Sequence, residues 1–215
     1  MAMTGTASGR KPSKRKVVLA ITVVALLGAM ALDTKVVQIG SGEDVRQQAF
    51  NPDRFGQSEF PRMRDIVAQR APDAVTLAAA LAADKKAAIA TYGTMAGGFA
   101  VMPVTLTGRV GDGASGIFGL TVDGLPEGLT IRVQTGPAIN GTELRDISGD
   151  IAFGAFKNQI EYQDAGAGIS RAMAADQLGD LDRDTLSGKT VQVTGAFTMI
   201  NPKSWLITPV AIEVQ

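Results

Sequence analysis

From residue 102 the apolar residues of this chain fall on alternate positions, in five stretches divided by one long helical interruption. Val104, Leu106 and Val110 alternate with Thr105, Thr107 and Arg109. Phe118, Leu120 and Val122 alternate with Gly119 and Thr121; Leu129, Ile131 and Val133 with Thr130, Arg132 and Gln134. Beyond the interruption, Val191, Val193 and Phe197 alternate with Thr190, Gln192 and Thr194, and a last stretch runs from Trp205 to Val214. A period of two marks strands with one buried and one polar face. Three strands, a helix and two strands is the order of an OB-like five-stranded Greek-key barrel. Gly108 and Gly195 stand where so small a barrel must bend, and Pro209 predicts a bulge or an unpaired edge. Gly111-Asp112-Gly113, Asp123–Gly128 and Ser187-Gly188-Lys189 read as turns. The helix between strands three and four covers about Asn158 to Leu178, although Gly166 and Gly168 each cost it roughly 1 kcal/mol against alanine.

Residues 33–100 read as a helical annex in front of the barrel domain, 101–215. An extended piece at Lys35–Ile39 and a Gly-Ser-Gly turn precede a short helix over Glu43–Phe50. Asn51-Pro52-Asp53 starts a new turn, and Pro61 opens a helix to about Arg70. Asp73 is placed to cap a helix that runs to Tyr92 and stops at Gly93. The whole is an α+β protein.

Ahead of this lies a basic tail, residues 1–16, with Arg10, Lys11, Lys14, Arg15 and Lys16, followed at once by an apolar run from Val17 to Leu32. The pattern is that of a signal peptide or a membrane anchor, with the basic end on the cytoplasmic side. The 16 residues make about 24 Å of helix, short for a span and long for a signal core. Ala29-Met30-Ala31 offers a cleavage site. The expected location is the inner membrane, as a single span with the domain in the periplasm, or the periplasm itself after cleavage.

Composition narrows the chemistry. The chain has no cysteine and no histidine. That removes disulfides, an acylated cysteine, serine–histidine and cysteine–histidine catalysis, and ordinary zinc sites. Beyond residue 31 there are 16 basic and 21 acidic residues, a net charge of about −5, which argues against nucleic acid as a partner. No cofactor is expected. Asp123 with Glu127, and Asp180 with Asp182, are the close carboxylate pairs a hydrolase would need, but all lie in turns where acids are common. Asp180, Asp182 and Asp184 begin like a calcium loop, yet Thr185 and Val191 stand where it needs Gly and Glu.

Six residues are candidates for contact with a ligand or partner. Arg145 and Asp146 would stand at the barrel mouth, or else pair with each other or cap a helix. Asn158, Gln159 and Tyr162 combine amides and a phenol on one stretch of helix, suited to a sugar hydroxyl and ring. Their alternative reading is a helix cap at Asn158 with Tyr162 half-buried. Trp205, the single tryptophan, could stack on a sugar or fill a barrel end.

Several strings resemble a known family: Gly136-Pro137-Ala138-Ile139-Asn140-Gly141-Thr142-Glu143-Leu144-Arg145-Asp146, Phe153–Tyr162, Leu186–Val191, Gly195-Ala196-Phe197 and Ile207–Val210 with Ile212–Val214. Together, from about Leu32 to the C-terminus, they are similar to the predicted periplasmic lipoproteins of the domain-of-unknown-function family numbered 2291. The resemblance implies an exported bacterial protein, commonly encoded beside sugar ABC-transporter components, and supplies no catalytic residues. Lipoprotein members carry a cysteine near the position of Leu32 to Thr34, and this chain has none, so an uncleaved anchor helix is the expected substitute. The resulting expectation is a non-catalytic envelope protein, an accessory of a sugar ABC uptake system. Its partners would be the membrane through residues 17–32 and a transporter permease or substrate-binding protein. A module binding a small sugar-like ligand at the barrel mouth is the alternative.

Overall fold

The computed structural model describes residues 14–33 and 50–215. They belong to two units, divided after Ala49. In the first, helix α1 spans Lys14–Asp33 and carries the apolar run. Among the described residues no helix is long and apolar enough to cross a membrane; the single span expected for Val17–Leu32 is therefore not supported by the structure. The pieces expected at Lys35–Ile39 and Glu43–Phe50 lie outside the described residues, except for Phe50, which is not helical.

The second unit, Phe50–Gln215, is one compact body. Helix α2, Pro52–Arg70, starts earlier than expected. Asn51 caps it by accepting from the Arg54 amide at 2.9 Å, and Pro52 takes the first turn. Pro61, expected to open a helix, lies inside this one. Gly56, Phe60, Met63 and Val67 form one buried stripe on either side of the proline, so packing holds the helix together across it.

The expected helix from Asp73 to Tyr92 is two: α3, Ala74–Ala83, and α4, Lys85–Tyr92. Asp73 caps the first, its carboxylate accepting from the Val75 amide at 2.8 Å. Asp84 adopts extended backbone between them and caps the second through the Ala87 amide at 3.0 Å. A side chain that satisfies helix-end donors competes with helix continuation.

The sheet begins before residue 101, with β1, Thr94–Ala96, paired to β2, Phe99–Ala114. The others are β3, Ile117–Thr121; β4, Thr130–Gln134; β5, Thr190–Thr198; and β6, Ser204–Val214. Six strands follow the order β1-β2-β3-β4-β6-β5, and β5 pairs back to β2, which closes five of them into a ring. Among these six strands only the β4–β6 pairing is parallel. Gly111-Asp112-Gly113 is a bulge inside β2, not the expected turn; the chain reverses at Ser115 and Gly116. A Cβ on Gly113 would lie 2.3 Å from the Phe118 ring, so the absent side chain makes room for that ring. Gly195 pairs with Pro209 at a shift in register between β5 and β6.

Two apolar clusters hold this unit. One fills the ring and its α3 end with Leu77, Met102, Val104, Leu106, Ile131, Val193, Phe197 and Trp205. The other lies between the sheet and two helices, α2 and α6, Gln159–Gln177, joining Phe60, Met63, Val67, Ile169 and Met173 to Val101, Ala196 and Val210. Helix α6 stands between β4 and β5 in the chain.

Candidate functional site

The polar residues singled out in the sequence gather around the connection from β4 to α6, which contains the short helix α5, Glu143–Asp146. Arg145 is buried, with 7% of its surface exposed. Its Nε donates to Asp146 Oδ1 at 2.7 Å and its Nη2 to Asp146 Oδ2 at 3.1 Å. Nη1 donates to the Tyr162 carbonyl at 3.0 Å, and the guanidinium lies 3.7 Å above the Tyr162 ring. The Thr142 hydroxyl donates to Asp146 at 2.6 Å. Ion pair, hydroxyl and ring form a closed set. Arg145 and Asp146 spend their hydrogen bonds inside the protein and fasten α5 to α6; their side chains do not stand at an open mouth.

Asn158 is the cap of α6, accepting from the Glu161 amide at 2.9 Å. Glu161 in turn accepts from the Lys157 amide at 2.9 Å. Gln159 is exposed beside it. Tyr162 is half-buried at the centre of an aromatic row. Its ring meets Phe153 at 5.7 Å and Phe156 at 5.5 Å between centroids, and Phe156 meets Phe50 and Phe55 at 5.4 and 5.7 Å. Trp205 is remote from this group. It is fully buried, stacked on Phe197 at 4.7 Å, and its indole N–H donates to the Pro202 carbonyl at 3.0 Å. A fully buried indole cannot stack on a sugar ring, so the structure corrects that expectation: Trp205 fills the barrel.

A second polar group carries no strong mark in the sequence. Gln134 Nε2 donates to the Thr208 hydroxyl at 2.9 Å and to the Asn140 carbonyl at 2.8 Å, while the Asn140 amide donates to Gln134 Oε1 at 2.9 Å. Glu143 accepts from the Thr198 and Thr208 hydroxyls at 3.1 and 3.3 Å. Burial pushes the Glu143 carboxyl above its ordinary value, against the hydroxyl bonds that favour its charged form. Gln134 and Thr208 occupy outward positions on β4 and β6, where strand alternation predicts solvent. The loop between Gly136 and Asp146 covers them instead, and both are 1% exposed. Arg183 holds the start of that loop, donating to the Thr135 carbonyl at 2.6 Å and the Leu178 carbonyl at 3.1 Å. The one signal in the sequence is a glutamine at the end of β4 and a threonine within β6, beside a loop that carries Gly136, Asn140 and Gly141.

The acidic turn at Asp180–Asp184 is used locally: Asp182 accepts from the Asp184 amide at 3.1 Å and the Thr185 hydroxyl at 2.9 Å. Among the described residues no three Asp or Glu side chains gather as a metal site would require. A cavity of about 300 Å³ opens where α3 meets the end of the ring. Ala78, Leu81, Leu129 and Trp205 line it, and Glu127 and Lys203 supply charge.

Comparison with known proteins agrees with this architecture. An OB-fold protein from Thermotoga maritima superposes with a TM-score of 0.62 at 16% identity, covering 78% of this chain and 99% of that one. At such identity the likeness shows the fold. A family model described as predicted periplasmic lipoprotein (DUF2291) matches residues 20–213. No curated protein matches the chain.

Proposed function

Because the chain belongs to this family of predicted periplasmic lipoproteins, we propose that it is a non-catalytic envelope protein, held at the inner membrane, that serves as an accessory of a sugar ABC uptake system. The observation that carries the reading is the absence of any cysteine from a member of a lipoprotein family. The acyl chains that anchor a lipoprotein sit on that residue. A basic cluster and an apolar run stand here near where the cysteine would be. The run falls about 6 Å short of a typical hydrocarbon core. Flanking Lys14, Arg15 and Lys16 can snorkel across such a mismatch.

The resemblance to proteins encoded beside sugar transporters supports the accessory role. The partner is a transporter permease or substrate-binding protein. Crosslinking in intact cells, purification of the tagged full-length protein from membranes and mass spectrometry test this directly. Co-purification of a sugar-transporter component is the expected result. Recovery of membrane-bound protein without one overturns the accessory role, and release after Ala31 overturns the anchor.

One observation favours a second reading. The cavity beside Leu81, Leu129 and Trp205 is of a size to admit a small ligand, with apolar walls and two charged side chains at hand. A sugar-like molecule bound there would raise the melting temperature of the protein, and an unchanged melting temperature across a panel of sugars would exclude it.

A further inference from the structure

The aromatic row around Tyr162 has an outer side. Phe153 is 50% exposed and Ile160, in the first turn of α6, is 71% exposed. Phe50, Phe55 and Phe156 are only half-buried. Phe50 packs edge-on against Phe156 and is also the first residue of the compact body. The chain therefore joins the body within this aromatic face, with 16 residues between it and Asp33, where the apolar run ends.

We propose that this face rests on the periplasmic leaflet of the membrane that holds the chain, an inference that depends on Val17–Leu32 remaining in the membrane. A tether of 16 residues spans at most about 55 Å, so the body stays within that reach of the bilayer, and its point of attachment lies on this face. The chemistry of the face fits that position. Phenylalanine rings, a tyrosine and an exposed isoleucine suit the boundary between headgroups and acyl chains. Exposed Lys157, beside Phe156, can reach lipid phosphates. Glu161, one turn further on, accepts from the Lys157 amide at 2.9 Å.

The cysteine-free chain makes the test direct. Full-length Ile160→Cys and Asp123→Cys are labelled with an environment-sensitive nitrobenzoxadiazole dye. Each is reconstituted, one protein per disc, into nanodiscs of phosphatidylethanolamine and phosphatidylglycerol. Asp123 lies in the exposed turn after β3 and serves as the reference. The expected result is blue-shifted emission at position 160, with reduction by dithionite slowed at least several-fold relative to position 123. Equal reactivity at the two positions, in protein that co-elutes with the discs, overturns the inference and leaves the anchor standing. Protein that does not co-elute overturns both. Shielding that arises only in discs holding two copies assigns the face to self-contact and overturns the membrane role.

Discussion

A Cβ on Gly56 would lie 2.1 Å from the carbonyl oxygen of Gly168, so α2 and α6 meet there backbone to backbone. The same close approach recurs one helix end away, where a Cβ on Gly168 would lie 2.0 Å from the Pro52 carbonyl oxygen. These glycines lower the helical propensity of their own segments and in return let two helices approach more closely than any side chain would permit.

Gly168→Ala should therefore destabilise the protein, although alanine is the better helix former. Overpacking of this kind costs about 1–3 kcal/mol, and here the clash is with backbone, which cannot rotate away. Gly154→Ala, where a Cβ meets nothing within 4 Å, should be close to neutral. Urea denaturation of the two variants decides the matter. A neutral Gly168→Ala would show that the helices do not meet as described.

Arg145→Ala should be among the most damaging polar substitutions. It would strip Asp146 of its forked partner and leave a largely buried carboxylate with only the Thr142 hydroxyl. Breaking a buried pair from one side costs about 3–5 kcal/mol. Arg145→Lys should recover only part of that, since an ammonium can neither fork to the carboxylate nor lie flat on the Tyr162 ring. Chemical denaturation of both variants measures the difference.

Glu143 sets one sign of the pH dependence. Its carboxyl titrates above the ordinary value of 4.5 in the folded protein because it is buried. Through the interval from there up to its folded value the unfolded chain holds fewer protons, so its contribution to stability falls as pH rises. Glu143→Gln should flatten that decline, gaining relative to the parent as pH rises above 4.5. Asp150 acts oppositely: the hydrogen bond from Arg62 holds its carboxyl below 3.8, so its small, solvent-screened contribution is lost as pH falls. Denaturation midpoints measured from below pH 3.8 to above pH 4.5 should show Asp150→Asn diverging from the parent toward acid and Glu143→Gln toward higher pH.

Trp205 should report folding. With its ring stacked on Phe197 and its N–H bonded to Pro202, the single tryptophan should emit blue-shifted light that moves to the red on unfolding. Trp205→Ala should cost about 3–5 kcal/mol by emptying the barrel end. A stable Trp205→Ala protein, with its melting temperature intact, would contradict the packing described.

Elements that rest on local chemistry are legible in the amino-acid sequence. Alternation at Val104–Val110, Phe118–Val122, Leu129–Val133 and Val191–Val193 marks strands, because a strand shows its two faces in successive residues. Asp73 and Asn158 mark helix starts, because a cap bonds amides two or three residues along the same chain. Pro61 and the Gly111–Gly113 string mislead for the same reason. Both carry strong local signals of a break, yet α2 and β2 continue through them because distant residues pack against each side.

Residue order alone is enough for the period of each strand, the helix caps at Asp73 and Asn158, the missing cysteine and histidine and the likeness to a lipoprotein family. Which polar groups face water is settled by contacts between distant parts of the chain. Gln134, Thr208 and Arg145 read as surface residues until a loop and a helix from elsewhere close over them. Burial is a property of what lies opposite, and strand or helix period records only which side of its own backbone a residue occupies.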